Sequence, residues 1–324
     1  MKRIKTLGKT LFFTFTTLLL SACALPGIGG QAGEESISIA GLASTEGQIM
    51  AFMVEGMVEH YMDVDAQVVN NLGTSSMAHQ AMVNGDVNIT GVKYTGTSLT
   101  GDLGRDPITD PELAYDTVVE LFAEEHQQKW FPTYGFANTY AFMVTRELAE
   151  EHDLETISDL EPIAGELRAG VDNSWMEREG DGYRAFLDTY EFDFQRVTPM
   201  QIGLVYDALQ AGEMDIVLGY STDGRIASYD LVVLEDDRQL FPPYDASPLA
   251  SYEVLEAYPQ LESIFLKMEN TITNEQMQEL NFAADNNLIE PKVVATQFLE
   301  ENNYFEDKEP FLESANNEGG DTNG

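Results

Sequence analysis

Between residues 36 and 92 the apolar positions change period repeatedly. Ser36-Ile37-Ser38-Ile39-Ala40 alternates with period two and predicts a strand. From Thr45 to His60, Ile49, Phe52, Met53 and Met57 recur at helical intervals, and Thr45 with Gln48 has capping-box spacing. Ala66–Val69 predicts a second strand. Thr74 can cap a helix through Val83, Gly85 stands where a C-terminal cap belongs, and Val87–Val92 predicts a third strand. Asp110-Pro111 opens a helix to about Gln128 and Asn138–Val144 predicts a strand, so the βαβαβ alternation continues and favours a parallel, wound sheet.

A second alternating block spans residues 137–237. It holds strands at Leu167–Val171, Phe192–Val197 and Met214–Leu218, with a helix expected to start at Thr198 as cap and Pro199 as first residue and to stop at Gly212. Phe241-Pro242-Pro243 breaks the pattern, and Ser251–Phe305 predicts mostly helix, with caps at Thr273 and Pro291. The expectation is an α/β protein of two lobes joined by two crossovers. Lobe 1 takes residues 36–137 plus 238–305 and lobe 2 residues 138–237, with a cleft between them. Residues 306–324 are acidic, rich in Asn and Gly and lack an apolar period, and read as a disordered tail.

Lys2, Arg3, Lys5 and Lys9 precede an apolar run from Leu11 to Leu20, the charged start and short apolar stretch of a secretory signal over residues 1–22. The run is shorter than the roughly 20 residues of a membrane span. It ends in Leu20-Ser21-Ala22-Cys23, which resembles the lipobox of bacterial lipoproteins and implies a lipid on Cys23, with residues 23–35 as a flexible leash. The alternative is a Cys that merely follows an ordinary signal peptide. The expected location is the extracellular face of a bacterial membrane.

Composition narrows the chemistry. Cys23 is the one cysteine of the chain, so intrachain disulfides and Cys-based metal sites are excluded. All 56 acidic residues follow Cys23, and a body starting there holds 13 bases against them, a charge of −43. Such a surface excludes nucleic acid as a partner. It also predicts self-repulsion that salt would screen, suiting a saline or alkaline habitat. His60, His79, His126 and His152 show no metal-binding spacing, and no nucleophile elbow, phosphate loop or dinucleotide fingerprint follows a strand. No metal, no cofactor and no enzymatic activity are expected.

Fourteen Tyr against two Trp is a skewed choice of aromatic. Tyr94, Tyr140, Tyr220 and Tyr244 stand where predicted strands meet loops, where ligands of open α/β sheets sit. Each alone reads more readily as packing at a lobe surface; together, across two lobes, they suit a cage for a cation.

From about Ile37 to Phe305 the chain resembles the glycine betaine/carnitine/choline-binding lipoproteins of bacterial osmoprotectant ABC importers. The similarity is carried by Asn70-Asn71-Leu72-Gly73, Lys93-Tyr94-Thr95-Gly96-Thr97, Lys129-Trp130-Phe131, residues 134–142, Gly170-Val171-Asp172-Asn173-Ser174-Trp175, Gly180-Asp181-Gly182-Tyr183, residues 199–208, residues 220–226 and Phe241-Pro242-Pro243-Tyr244-Asp245. The resemblance implies a type II periplasmic-binding-protein fold that captures a quaternary ammonium osmolyte and passes it to a membrane permease, the receptor itself being a monomer. It implies a cage of Tyr94, Tyr140, Tyr220 and Tyr244 around the trimethylammonium head, a Thr97 hydroxyl toward a ligand carboxylate, and Asn138 at the cage edge. Leu42 departs from the Gln often found there in the family. Two other readings stand beside this one: a choline-preferring receptor, suited by Leu42 and the negative charge, and a surface choline-ester hydrolase, which would need a base and nucleophile near the cage.

Overall fold

A computed structural model describes residues 36–306 apart from Glu179. The expected signal, Cys23 with its leash, and the acidic tail beyond Glu306 lie outside the described residues. The described residues hold ten strands: β1 (Ile37–Leu42), β2 (Ala66–Leu72), β3 (Ile89–Tyr94), β4 (Gln128–Trp130), β5 (Tyr140–Thr145), β6 (Arg168–Asp172), β7 (Arg196–Met200), β8 (Ile216–Tyr220), β9 (Leu231–Val233) and β10 (Ala246–Ser251). They form two five-stranded sheets, ordered β2-β1-β3-β10-β4 and β7-β6-β8-β5-β9.

The sheets are mixed, which corrects the expectation of a parallel sheet. β1 runs parallel to β2 and β3, but β10 is antiparallel to β3 and β4. β6 runs parallel to β7 and β8, whereas β5 is antiparallel to β8 and β9. The chain crosses between sheets into β5 and back into β10. Each of these strands starts at the edge where its neighbour, β8 or β3, ends with Tyr220 or Tyr94, and so runs against that neighbour.

Helix α1 (Thr45–Tyr61) buries Ile49, Met50, Met53, Val54, Met57 and Val58 between the first sheet and the helix Pro291–Glu301. Its close seat on β3 requires Gly91, where a Cβ would come within 2.6 Å of the Ala51 backbone. Its N-cap is Ser44 rather than Thr45: the Ser44 hydroxyl accepts from the Gly47 amide at 3.2 Å, and Thr45 donates to Asp285 instead. Helix α2 (Ser75–Asn84) is capped by Thr74 and ends at Gly85 in the left-handed region, φ 76°, both as the pattern predicts. Asp110 caps the helix Pro111–His126, and Thr273 with Gln276 forms a capping box on the helix Asn274–Asp285.

Thr198 and Pro199 do not open a helix. They lie inside β7, and the helix starts at Ile202 after Gln201. β7 is the outer strand of its sheet, paired with β6 alone, so a residue without an amide hydrogen is tolerated there.

Each sheet has its own core. The first is built from Ile37, Ile39, Met50, Phe122 and Phe265 among others; the second is strongly aromatic, with Phe142 in ring contact with Trp175, Phe186 and Phe194, and a smaller cluster around Met143, Tyr206 and Val217 packs on the same sheet. Among the described residues no helix is long and apolar enough to cross a membrane.

Candidate functional site

Sheet register places the four tyrosines. Tyr140, first in β5, lies directly opposite Tyr220, last in β8, and their ring centroids are 5.2 Å apart. Tyr94 ends β3 opposite Ala246, and Tyr244 precedes that partner by two residues. Thr95 fixes the Tyr244 segment: its hydroxyl donates to the Pro243 carbonyl at 2.7 Å and accepts from the Asp245 amide at 3.2 Å, while the Gly96 amide also reaches Pro243 at 2.9 Å. Thr97 follows on the same short turn.

These residues line one cavity of about 240 Å³, bounded by Ser44, Tyr94, Thr97, Asn138, Tyr140, Arg178, Tyr220 and Tyr244. All six residues singled out in the sequence for ligand contact are therefore brought together. Ser44 and Arg178 were not foreseen. The volume is below the roughly 300–1,000 Å³ of drug-sized pockets and suits a small solute. Leu42 is buried in the first core and does not line the cavity. None of the four histidines does either.

Each ring is held differently. Tyr94 donates its hydroxyl to Glu46, a buried acid in the first turn of α1 that also accepts from Asn138 at 3.0 Å and from Asn281 at 3.1 Å. Tyr140 donates to buried Asp172 at 2.7 Å, and Ser174 donates to the same carboxylate oxygen. Tyr244 accepts from the Arg178 guanidinium at 2.8 Å. Tyr220, 39% exposed, is held through its backbone. Its amide donates to the buried Tyr206 hydroxyl at 2.6 Å, and that hydroxyl donates to the Tyr220 carbonyl at 3.1 Å. Burial, then the Glu46 charge, pushes the Tyr94 phenol well above its ordinary range; burial also raises Tyr140 and Tyr244. These phenols stay protonated at neutral pH, so their rings are neutral faces able to attract a cation.

Arg178 sits on a loop closed by two contacts: Trp175 donates its indole N–H to the Asp181 carbonyl at 2.7 Å, and the guanidinium forks onto the Asp181 carboxylate at 2.9 and 2.8 Å. Its Cζ lies 5.4 Å from the Tyr140 ring centroid. The cavity therefore offers ring faces and, beside Tyr140 and Tyr244, a fixed positive charge. The scarcity of bases was the one signal for Arg178 in the sequence: with 13 in the whole body, each is informative.

Residues from the two halves are also tied together around the cavity. The Gln278 and Asn281 amides, on the helix Asn274–Asp285, donate to the carbonyls of Ser221 and Thr222 just after β8, each at 2.8 Å. The Ser221 hydroxyl donates to the Ala137 carbonyl at 2.9 Å and accepts from the Thr139 amide at 3.1 Å.

Two mixed α/β lobes, joined by two crossings and closing on a ring-lined cavity, define a two-lobe substrate-binding protein. The chain belongs to the family of substrate-binding domains of ABC-type glycine betaine transport systems, whose model matches residues 35–301. It is 50% identical, over 90% of its own length and 95% of the relative's, to the carnitine transport binding protein of Listeria monocytogenes. It is 31% identical, over 89% and 95%, to the glycine-betaine-binding protein of Pseudomonas aeruginosa. A solved structure described as a glycine betaine/carnitine/choline ABC transporter matches with a TM-score of 0.81 at 49% identity, covering 83% of this chain and all of that one.

Proposed function

We propose that the cavity takes a trimethylammonium compound carrying a carboxylate, glycine betaine or carnitine, and that the protein passes it unchanged to a membrane permease. The carrying observation is the combination of four tyrosines and Arg178 around one cavity. A quaternary ammonium has no N–H to donate, so ring faces are the means of selecting it, at about 0.5–2 kcal/mol each. Tyr94, Tyr140, Tyr220 and Tyr244 form this cage, with Asn138 ordering its edge through Glu46. Arg178, beside Tyr140 and Tyr244, and the Thr97 hydroxyl serve as donors to the carboxylate. Residues 36–137 with 238–305 act as one lobe and 138–237 as the other, so a ligand touching both favours closure, and closure signals occupancy. The placement of Arg178 disfavours a choline-preferring receptor, since a pure cation gains nothing from it. No histidine lines the cavity to serve as base for an ester hydrolase, and covalent chemistry is not part of this reading.

Calorimetry of the purified protein with glycine betaine, carnitine and choline tests it. The two zwitterions should bind more tightly than choline, and Arg178→Ala should narrow the gap by about 10-fold, the size of one charge-assisted contact. Equal losses for all three ligands would show that Arg178 does not face the carboxylate.

The receptor is further proposed to act as a monomer held at the outer membrane surface by a lipid on Cys23, from the lone Cys after Leu20-Ser21-Ala22. Cys23→Ala should then appear in the soluble fraction with binding intact; retention on membranes after a high-salt wash would refute the anchor.

A further inference from the structure

The four hydroxyls of the cage have unlike partners. Tyr94 donates to Glu46 and Tyr140 to Asp172, carboxylates 4% and 6% exposed. Tyr244 accepts from Arg178, and the Tyr220 hydroxyl has no hydrogen-bond partner among the described residues. Every side-chain contact of Glu46 comes from a donor (Tyr94, Asn138 and Asn281), as do both contacts of Asp172, from Tyr140 and Ser174. Asn138 and Asn281 approach Glu46 through amide nitrogens, which can only donate.

We propose that Glu46 and Asp172 are charge-selecting residues of the cage: by accepting the Tyr94 and Tyr140 hydroxyl hydrogens they make those two ring faces more negative and set the preference for a permanent cation over a neutral molecule of the same shape. The inference rests on the reading of the cavity as a trimethylammonium site and adds the source of its charge discrimination. A phenol that donates to a carboxylate gains electron density on oxygen and ring, because hydrogen bonds in a poorly solvated interior polarise their members. The cation is held by the negative ring face, so the gain falls on that interaction. The carboxylate charge itself acts through low-dielectric surroundings in the same direction. Arg178 has the opposite effect on Tyr244 by donating to its oxygen. The cage is thus graded: Tyr94 is enriched, Tyr140 is enriched by Asp172 against the opposing Arg178 guanidinium 5.4 Å from its ring centroid, Tyr220 is unmodified and Tyr244 is depleted, with the enriched pair contributed by different sheets. Neither acid lines the cavity; both act through the tyrosines as positioning and polarising residues.

The test compares choline with its uncharged carbon isostere, 3,3-dimethylbutan-1-ol, on the full purified protein. Glu46→Gln and Asp172→Asn keep an oxygen that can accept from the phenol and remove the charge. Choline affinity should fall on the order of 3- to 10-fold in each variant while the isostere's affinity stays unchanged, so that the ratio of the two falls. Tyr183 donates to exposed Asp193 at 2.6 Å in a tyrosine–carboxylate pair away from the cavity, so Asp193→Asn, which removes the same unit of charge, should leave the ratio as it is. Equal weakening of both ligands would make the acids merely structural, and an unchanged choline affinity would make them irrelevant; either overturns the proposal. So would an equal fall of the ratio in Asp193→Asn, which would trace the effect to overall charge. Should Glu46→Gln lose its cooperative melting transition, because its new amide faces Asn281, Asp172→Asn decides alone. Absence of choline, betaine and carnitine binding in the unaltered protein would be a different result, overturning the reading of the cavity itself.

Discussion

The two lobes share a strand plan and face the cavity with two tyrosines each, but they keep their charged groups differently. In the first, Lys93 and Asp102 form an ion pair with both side chains fully buried, close to His79 and His126, whose rings meet edge to face at 4.6 Å. In the second, Arg168 with Asp215, Arg225 with Asp223 and Arg146 with Asp230 pair at partly exposed positions. Surface pairs of this kind contribute little, while a buried pair is costly to disturb. The first lobe has surface pairs as well, Lys129 with Glu262 and Arg105 with Glu125, but its fully buried pair makes it the one whose interior is sensitive to protonation.

The largest effect should come from removing one ring on each side. Tyr94→Ala with Tyr140→Ala forfeits two ring faces and should weaken glycine betaine by about 10- to 1,000-fold. If the double variant binds within a few fold of the parent in calorimetry, the cage does not span the lobes. A smaller change sharpens the comparison of ring partners. Tyr220→Phe removes a hydroxyl with no partner among the described residues and should be mild, whereas Tyr94→Phe and Tyr140→Phe each take a donor away from a buried carboxylate and should cost several fold more. Equal effects at the three positions would mean that hydroxyl partners do not matter.

The smallest effect concerns pH and separates the lobes directly. Burial lowers the pKa of His79 below its ordinary 6.5, despite the opposing pull of Asp102. Below pH 6.5 the unfolded chain binds this proton more readily than the folded one, so the stability is fully present above 6.5 and declines as pH falls through the folded value. Hydrogen exchange at pH 5 should show the first lobe losing protection before the second, and His79→Gln should reduce that difference. Simultaneous loss in both lobes would point to the general charge instead.

Sequence periodicity disclosed the elements better than their directions. Thr74, Gly85 and Asp110 act as the caps their residue types predict, since capping is a local matter of one side chain and a few amides. Strand direction is not local: period two reads the same for β10 whichever way it runs, and only the return of the chain from the other lobe sets it. Thr198-Pro199 misleads for a related reason, because a cap-plus-proline signature and an outer strand use the same letters. The tyrosines were legible by their place at strand ends and through the family resemblance. Arg178 and Glu46 were not, one lying in an irregular loop and the other reading as an ordinary acid beside a helix N-terminus.

The strand that holds Pro199 has one more property. The Met200 carbonyl accepts from the Asn173 amide at 2.9 Å, so by alternation the backbone of residue 199 turns away from β6 toward the free edge of the sheet. At that point the edge offers no N–H to an incoming strand. A receptor crowded among its own copies is exposed to edge-to-edge sheet growth, the route by which strands of neighbouring molecules aggregate. Proline at this position, three residues after the Arg196 that opens the strand, interrupts the template and keeps the outer margin of the second lobe from seeding a shared sheet.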